Sequence, residues 1–168
     1  MFTFACMTGN QSPLDLHELL SLAAIRLNLV GSTRDDILRE LAALVPEIVG
    51  NAEAQASLLQ TLQERELLHS TGIGDGIALP HARNALAGIV QRPIIAVGRR
   101  DAGVPWAAID DQPAKLFFLI IAPNLTQHLA ILARISRLLR DAKLRQALMA
   151  ADKSAKFIEL IRLAETGA

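Results

Sequence analysis

The chain has 168 residues, is 51% hydrophobic and 20% charged, and balances 17 Lys and Arg against 17 Asp and Glu. This length and composition describe one globular domain rather than a disordered chain, and the even balance provides no global field for nucleic acid or an anionic membrane. No run reaches the roughly 20 apolar residues of a membrane helix, and the N-terminus lacks the basic start and apolar core of a secretory signal, so a soluble, cytoplasmic chain without direct membrane insertion is expected.

Residues 1–12 read as a flexible leader and 13–168 as the folded domain. The leader holds the single cysteine, Cys6, which has no internal disulfide partner and suits a reducing compartment. Ser12-Pro13 resembles a helix start for the apolar positions Leu14, Leu16, Leu19 and Leu20. Ile25 to Val30 alternates apolar and polar residues, the period of a strand. Ser32 then offers a cap for a helix with Asp35 and Asp36 in its first turn and an apolar stripe of Ile37, Leu38, Leu41, Leu44 and Val45. A second helix is predicted from Asn51 or Ala52 to about Glu66, with Leu58, Leu59 and Leu62 on one face.

The texture changes at His69 to Arg83, HSTGIGDGIALPHAR, where glycines stand at 72, 74 and 76. Glycine is costly inside regular elements, so this stretch predicts a loop feeding a short strand or turn. Strands are predicted at Ile94 to Val97 and Lys115 to Ala122, separated by a turning segment, Gly103 to Asp111, with a short strand near Trp106. The last third reads as helices: one from Asn124 or Thr126 to Arg140, one opened by Asp141, and one opened by Ser154. Helices bracketing a few strands predict a single layered α/β domain whose C-terminal part is helical.

Four histidines carry the chemical possibilities, at 17, 69, 81 and 128. His17, beside Glu18 in the first amphipathic segment, reads as a surface or boundary residue, and nothing local to His69 demands a site role. His81 differs in its setting. Pro80 restricts the backbone before it, the glycines allow close approach of N–H groups to a ligand, and Arg83 follows two residues later. Taken locally, two roles stay open for it: a site for a phosphoryl group, or a core or capping histidine. Other readings of this stretch are weaker. G-x-G-x-G differs from the dinucleotide fingerprint and from a P-loop, and zinc-ligand spacing and a G-x-S-x-G elbow are both lacking.

The run Ser70 to Arg83, STGIGDGIALPHAR, resembles the signature of the enzyme IIA domains of the fructose, mannitol and nitrogen-regulatory class of the bacterial phosphoenolpyruvate-dependent phosphotransferase system. Glu64-Arg65-Glu66 resembles the Arg-Glu pair at the end of that family's preceding helix. Ala108 to Pro113 resembles its turn before the strand Leu116 to Ile121, and His128-Leu129 with Leu132 to Ser136 resembles the helix carrying a second histidine. The likeness runs from about residue 14 to 165.

The resemblance implies a mixed β-sheet flanked by helices. It implies that His81 accepts a phosphoryl group on Nε2 from the phosphocarrier protein HPr, with His128 across the site and Arg65 supplying positive charge. Thr71 and Arg83 are expected as supporting groups, with no metal and no organic cofactor. Expected partners are HPr and either a IIB domain or regulatory target proteins. Three roles follow: a sugar-specific carrier passing phosphate to a IIB domain, a nitrogen-regulatory protein, or a binding module of the same fold that no longer exchanges phosphate. A free-standing IIA without an attached IIB or IIC part is expected, and with HSTGIGDGIALPH this favours the nitrogen-regulatory type.

Overall fold

The computed structural model describes residues 14–82 and 88–167. The leader, the Ser12-Pro13 helix start and Arg83 therefore lie outside the described residues. In chain order the elements are β1 (Ile25–Arg26), α1 (Arg34–Ala42), α2 (Ala52–Leu68), β2 (Gly72–Gly74), β3 (Ile77–Ala78), β4 (Ile94–Val104), β5 (Ala114–Ile121), α3 (Leu125–Leu138), α4 (Ala142–Ala150) and α5 (Ser154–Thr166), with short 3-10 turns at Leu16–Leu19, Leu22–Ala24 and Pro46–Ile48. The strands form one five-stranded sheet in the order β1-β4-β5-β3-β2. It is mixed, as the resemblance implies: β1 runs parallel to β4 and β3 parallel to β5, while β4–β5 and β2–β3 are antiparallel.

β5 organises the layers. Its sequence, AKLFFLII, is apolar at successive positions because both of its faces are covered. Phe117, Leu119 and Ile121 pack with Ile37 and Leu41 of α1, Leu58 and Leu62 of α2, and Trp106. Leu116, Phe118 and Ile120 face the other way, onto Ile131 and Ile135 of α3, Leu148 of α4, and Phe157 and Ile161 of α5. The neighbouring β4 splits in the same way, with Ile94 and Ala96 on one side and Ile95 and Val97 on the other.

Several boundaries differ from the expectations, each for a local reason. The first segment forms a single 3-10 turn rather than an α-helix. The strand expected over Ile25 to Val30 pairs only at its first two residues. Beyond them Leu29 N–H donates to the Arg99 carbonyl (2.8 Å), Gly31 N–H donates to Glu40 (2.6 Å), and the Val30 carbonyl accepts from Arg100 (2.7 Å), so these backbone groups are satisfied outside a regular ladder. α1 is capped by Thr33, not Ser32. Asp36 N–H donates to Thr33 Oγ1 (3.2 Å) and Thr33 N–H returns a bond to Asp36 Oδ2 (3.1 Å), a capping box that satisfies two N–H groups at the helix start. Leu44 and Val45 are buried but lie past the end of α1.

β4 runs seven residues beyond the expected Val97, through a register shift between Arg99 and Val104 that breaks its apolar alternation. Trp106 lies past that strand, its indole buried at a ring-centroid distance of 4.9 Å from Phe117. The glycine loop contains the β2–β3 hairpin. Asp75 and Gly76, both at positive φ (55° and 77°), make the mirror-image turn that suits the twist of paired strands. α3 stops at Leu138, short of Arg140, where the Arg145 guanidinium donates to the Leu139 and Arg140 carbonyls, each at 2.9 Å. Asp141 caps α4 as expected, accepting from Lys143 N–H (2.8 Å), and α5 begins at Ser154 with Lys153 in the cap position.

The double-sided packing of β5 sets a measurable cost. Phe117→Ala leaves a cavity against Trp106 and is expected to destabilise the fold by about 3–5 kcal/mol, read from urea denaturation at neutral pH.

Candidate functional site

Two ends of the fold meet beside the C-terminal end of β5. On one side the chain leaves β3 through Leu79 and Pro80. The Pro80 carbonyl accepts from Ile120 N–H (3.0 Å), and His81 lies alongside Ile120 in a parallel bridge. On the other side β5 runs into α3. Asn124 caps that helix by accepting from Gln127 N–H (2.9 Å), which puts His128 in its first turn. The two imidazoles come within 5.1 Å, centroid to centroid, tilted by 50°.

The protonation of His81 follows from its partners. Nδ1 lies 2.8 Å from the Leu79 carbonyl, which only accepts, so Nδ1 carries the proton and the neutral ring has its lone pair on Nε2. Arg65, in the last turn of α2, donates its Nε–H to that Nε2 (3.2 Å), while its Nη1 is tethered to the His69 carbonyl (2.8 Å). Burial holds the His81 pKa below its ordinary value of 6.5, against the bond to Leu79, which raises it. The Arg65 charge lowers it further and Glu66 opposes this. His128 is also held below 6.5, first by burial, then by His81 and Arg65. His128 is 8% exposed.

The structure thus brings His81, His128 and Arg65 together. Thr71 is beside them but engaged elsewhere. Its hydroxyl donates to Glu66 Oε2 (2.6 Å) and accepts from Trp106 Nε1 (3.1 Å), and its N–H donates to Glu66 Oε1 (2.8 Å), so the donor expected for a phosphoryl oxygen is already committed. Arg83 lies outside the described residues. His69 reaches the site only through its carbonyl, its side chain being exposed. His17 does more than sit on a boundary: its Nδ1 pairs with Glu165 Oε2 (2.7 Å), joining the first 3-10 turn to α5.

Two contributors escape a reading by residue type. One is the Leu79 carbonyl, because backbone acceptors leave no trace in composition. The other is Glu66, next to Arg65 in the Arg-Glu pair yet 5% exposed, a depth that helix periodicity with its weak apolar face does not disclose.

His81 and Arg65 open onto a cavity of about 390 Å³ whose walls include Leu79, Ile73, Leu132 and Ser136. Larger cavities, about 580 and 500 Å³, are lined by ion-paired side chains such as Arg134 with Glu165 and Arg34 with Glu66, and have no histidine in their walls. Chemistry rather than size therefore selects the site. Among the described residues no cluster of three or more His, Cys, Asp or Glu side chains is arranged to hold a metal ion, and no helix is long and apolar enough to cross a membrane. A nitrogen lone pair facing a guanidinium, near the positive N-terminal end of a helix, suits nucleophilic attack on a centre surrounded by anionic oxygens.

Comparison with known proteins shows the family of the chain. The family model described as "Phosphoenolpyruvate-dependent sugar phosphotransferase system, EIIA 2" matches residues 18–163. The chain is 34% identical over 146 residues to the fructose-specific EIIABC component of Bacillus subtilis, covering 86% of this chain but only 22% of that longer protein. It is 33% identical over 148 residues to the nitrogen regulatory protein of Pseudomonas aeruginosa, covering 87% of this chain and 94% of that one. Its fold matches the crystal structure of nitrogen regulatory protein IIA-Ntr from Neisseria meningitidis with a TM-score of 0.77 at 26% identity, over 87% of this chain and 98% of that one.

The depressed histidines give stability a pH signature. Between their folded pKa values and 6.5 the unfolded chain binds more protons than the native one, so their stabilisation is full above 6.5 and is lost as pH falls through the folded values. The double variant His81→Gln/His128→Gln is expected to show a shallower fall in urea midpoint over that acidic interval than the wild type.

Proposed function

We propose a phosphoryl-carrier role for this chain, which belongs to the phosphoenolpyruvate-dependent sugar phosphotransferase system EIIA 2 family. His81 is the acceptor and the phosphohistidine of HPr the donor, and the chain works as a cytoplasmic protein of the nitrogen-regulatory type. The observation that carries this reading is the bonding of the His81 ring. With Nδ1–H held by the Leu79 carbonyl, the lone pair is confined to Nε2 and aimed at Arg65.

Transfer then needs little covalent help from the protein beyond positioning and charge. The Nε2 lone pair forms the new N–P bond as the N–P bond to the donor histidine breaks, and the donor nitrogen recovers its electron pair. No proton leaves Nε2, because it carries none. Nδ1–H stays on the Leu79 carbonyl, so the phosphorylated ring keeps a positive charge and remains a good leaving group for the next step. In the resting site the Arg65 Nε–H occupies the attacking lone pair. Acceptance therefore requires the guanidinium to release Nε2 and turn to the phosphoryl oxygens, with the His69 carbonyl as its pivot. His128 lies beside the His81 ring on α3, where the helix N-terminus meets the added charge of about −1.5 to −2. Ile73 at 43% exposure and Leu129 at 55% give the rim an apolar surface for a partner.

The nitrogen-regulatory assignment draws on two likenesses that span nearly the full length of both proteins, those from Pseudomonas and Neisseria. The 34% identity to part of a fructose-specific EIIABC component favours the alternative, a sugar-specific carrier whose phosphate passes to a IIB domain.

Incubation with phosphoenolpyruvate, enzyme I and HPr is expected to give an acid-labile label that His81→Ala abolishes; a label retained in that variant would overturn the assignment. His128→Ala is expected to slow acceptance on the order of 10²-fold with the fold intact, as for loss of one preorganised donor. The wild-type rate is expected to be level above pH 6.5 and to fall only at lower pH, where His81 takes up a proton. Labelled chain mixed with fructose- and mannitol-type IIB domains is expected to keep its label; rapid transfer to a IIB cysteine would favour the sugar-carrier role instead.

A further inference from the structure

Glu66 is a buried carboxylate directly beside the site, and the transfer steps above make no use of it. It is anchored in a directed series of hydrogen bonds. Thr71 donates to it from both N–H (2.8 Å) and hydroxyl (2.6 Å), Leu79 N–H donates to the Thr71 carbonyl (3.0 Å), and His81 Nδ1–H donates to the Leu79 carbonyl (2.8 Å). Every donor in the series points back toward Glu66. Glu66, Thr71 and Leu79 are each at most 5% exposed, so water neither competes for these bonds nor screens the charge strongly. The links pass through two separate residues and not through one amide, so they transmit position, while the carboxylate acts on the ring through space.

We infer that Glu66 is a positioning residue for His81. It anchors the Thr71–Leu79 connection that aims the imidazole, and its negative charge keeps the ring basic against Arg65. A carboxylate bonded directly to Nδ1 would do both tasks more strongly but would also neutralise the phosphorylated ring. Set back behind Leu79, it leaves that ring labile. His81 faces Arg65 from α2 and His128 from α3, and Glu66 faces Arg34 of α1, whose Nη1 lies 3.7 Å from Oε1. Arg34 thus tempers the charge of the carboxylate. The direction of the effect agrees with the upward pull of Glu66 on the His81 pKa.

The meaning of this role rests on the carrier reading, but its test does not. The unphosphorylated chain is titrated by NMR with the His81 and His128 resonances assigned, alongside two variants that change charge with little change of shape. Glu66→Gln keeps an acceptor for Thr71 N–H and is expected to move the His81 midpoint downward while the Nδ1–H tautomer persists in the ring ¹⁵N shifts. Arg34→Gln, at a partly exposed position, is expected to move it upward. A general loosening of the site would move both midpoints in the same direction, and that result overturns the inference. So does an unchanged His81 midpoint in Glu66→Gln with a native backbone spectrum. Should Glu66→Gln fail to fold, the Arg34→Gln midpoint decides alone: upward supports the role, and unchanged or downward overturns it. Failure of the wild type to accept label from HPr counts against the carrier reading and leaves these midpoints unaffected.

Discussion

The site depends on β5 being covered on both faces. Because Phe117, Leu119 and Ile121 are held by α1 and α2, and Leu116, Phe118 and Ile120 by α3, α4 and α5, the strand has no freedom to slide or tilt. A one-residue slip would exchange the two apolar sets between layers. Its C-terminal end is therefore a fixed reference point. His81 is attached there through the Pro80–Ile120 bond, and α3 starts from there with His128 in its first turn. Two imidazoles remote in sequence share one origin, and their separation is set by the thickness of a strand-to-helix junction and not by a flexible loop.

On that frame the chemistry is decided by short polar contacts. The Leu79 carbonyl chooses the tautomer, Arg65 rests on the free nitrogen of His81, and burial holds both histidine pKa values below 6.5. Glycine matters here in a limited way. Gly76 allows the tight turn of the β2–β3 hairpin, and Gly72 has a second reason: a Cβ there would stand 2.8 Å from the Ala108 Cβ, so the hairpin closes onto the 107–111 turn only with glycine at that position. The Asp110 carboxylate then receives Asp75 N–H (2.8 Å) and ties the two loops together. The run of glycines thus serves to seat the segment leading to His81, and the Gly72 N–H is used within the fold, donating to Ser70 Oγ (3.1 Å).

Legibility in the sequence varied with the kind of feature. The helices α3 and α4 and the strand β5 were readable from apolar period and length, and Asn51, Asn124 and Asp141 all act as caps; α2 was marked by its cap and length despite a weak apolar face, and α5 by its apolar residues without a side-chain cap. β1 and the first turn were over-read, since the apolar residues Leu27, Leu29 and Leu20 obey a strand or helix period while their backbone is held by irregular bonds. β4 was under-read, because Arg99, Arg100 and Asp101 break the alternation while the ladder to β5 resumes at Val104. Thr71 illustrates the limit for the site. A threonine next to a glycine loop offers a donor by type, but only the fold shows that Glu66 and Trp106 have engaged it.

The sequence by itself determined the α/β class through apolar period, and through its resemblance to the family it named His81, His128 and Arg65 together, because motifs and apolar period are properties of local chain segments. The tertiary structure alone decided which nitrogen of His81 bears the proton, that Arg65 rests on the other, that Thr71 is taken, and that a carboxylate lies behind them all. Each of those depends on directions and depths of a few ångströms between elements distant in sequence. Hydrogen-bond geometry and burial arise only when the layers close over β5, and no one-dimensional pattern contains them.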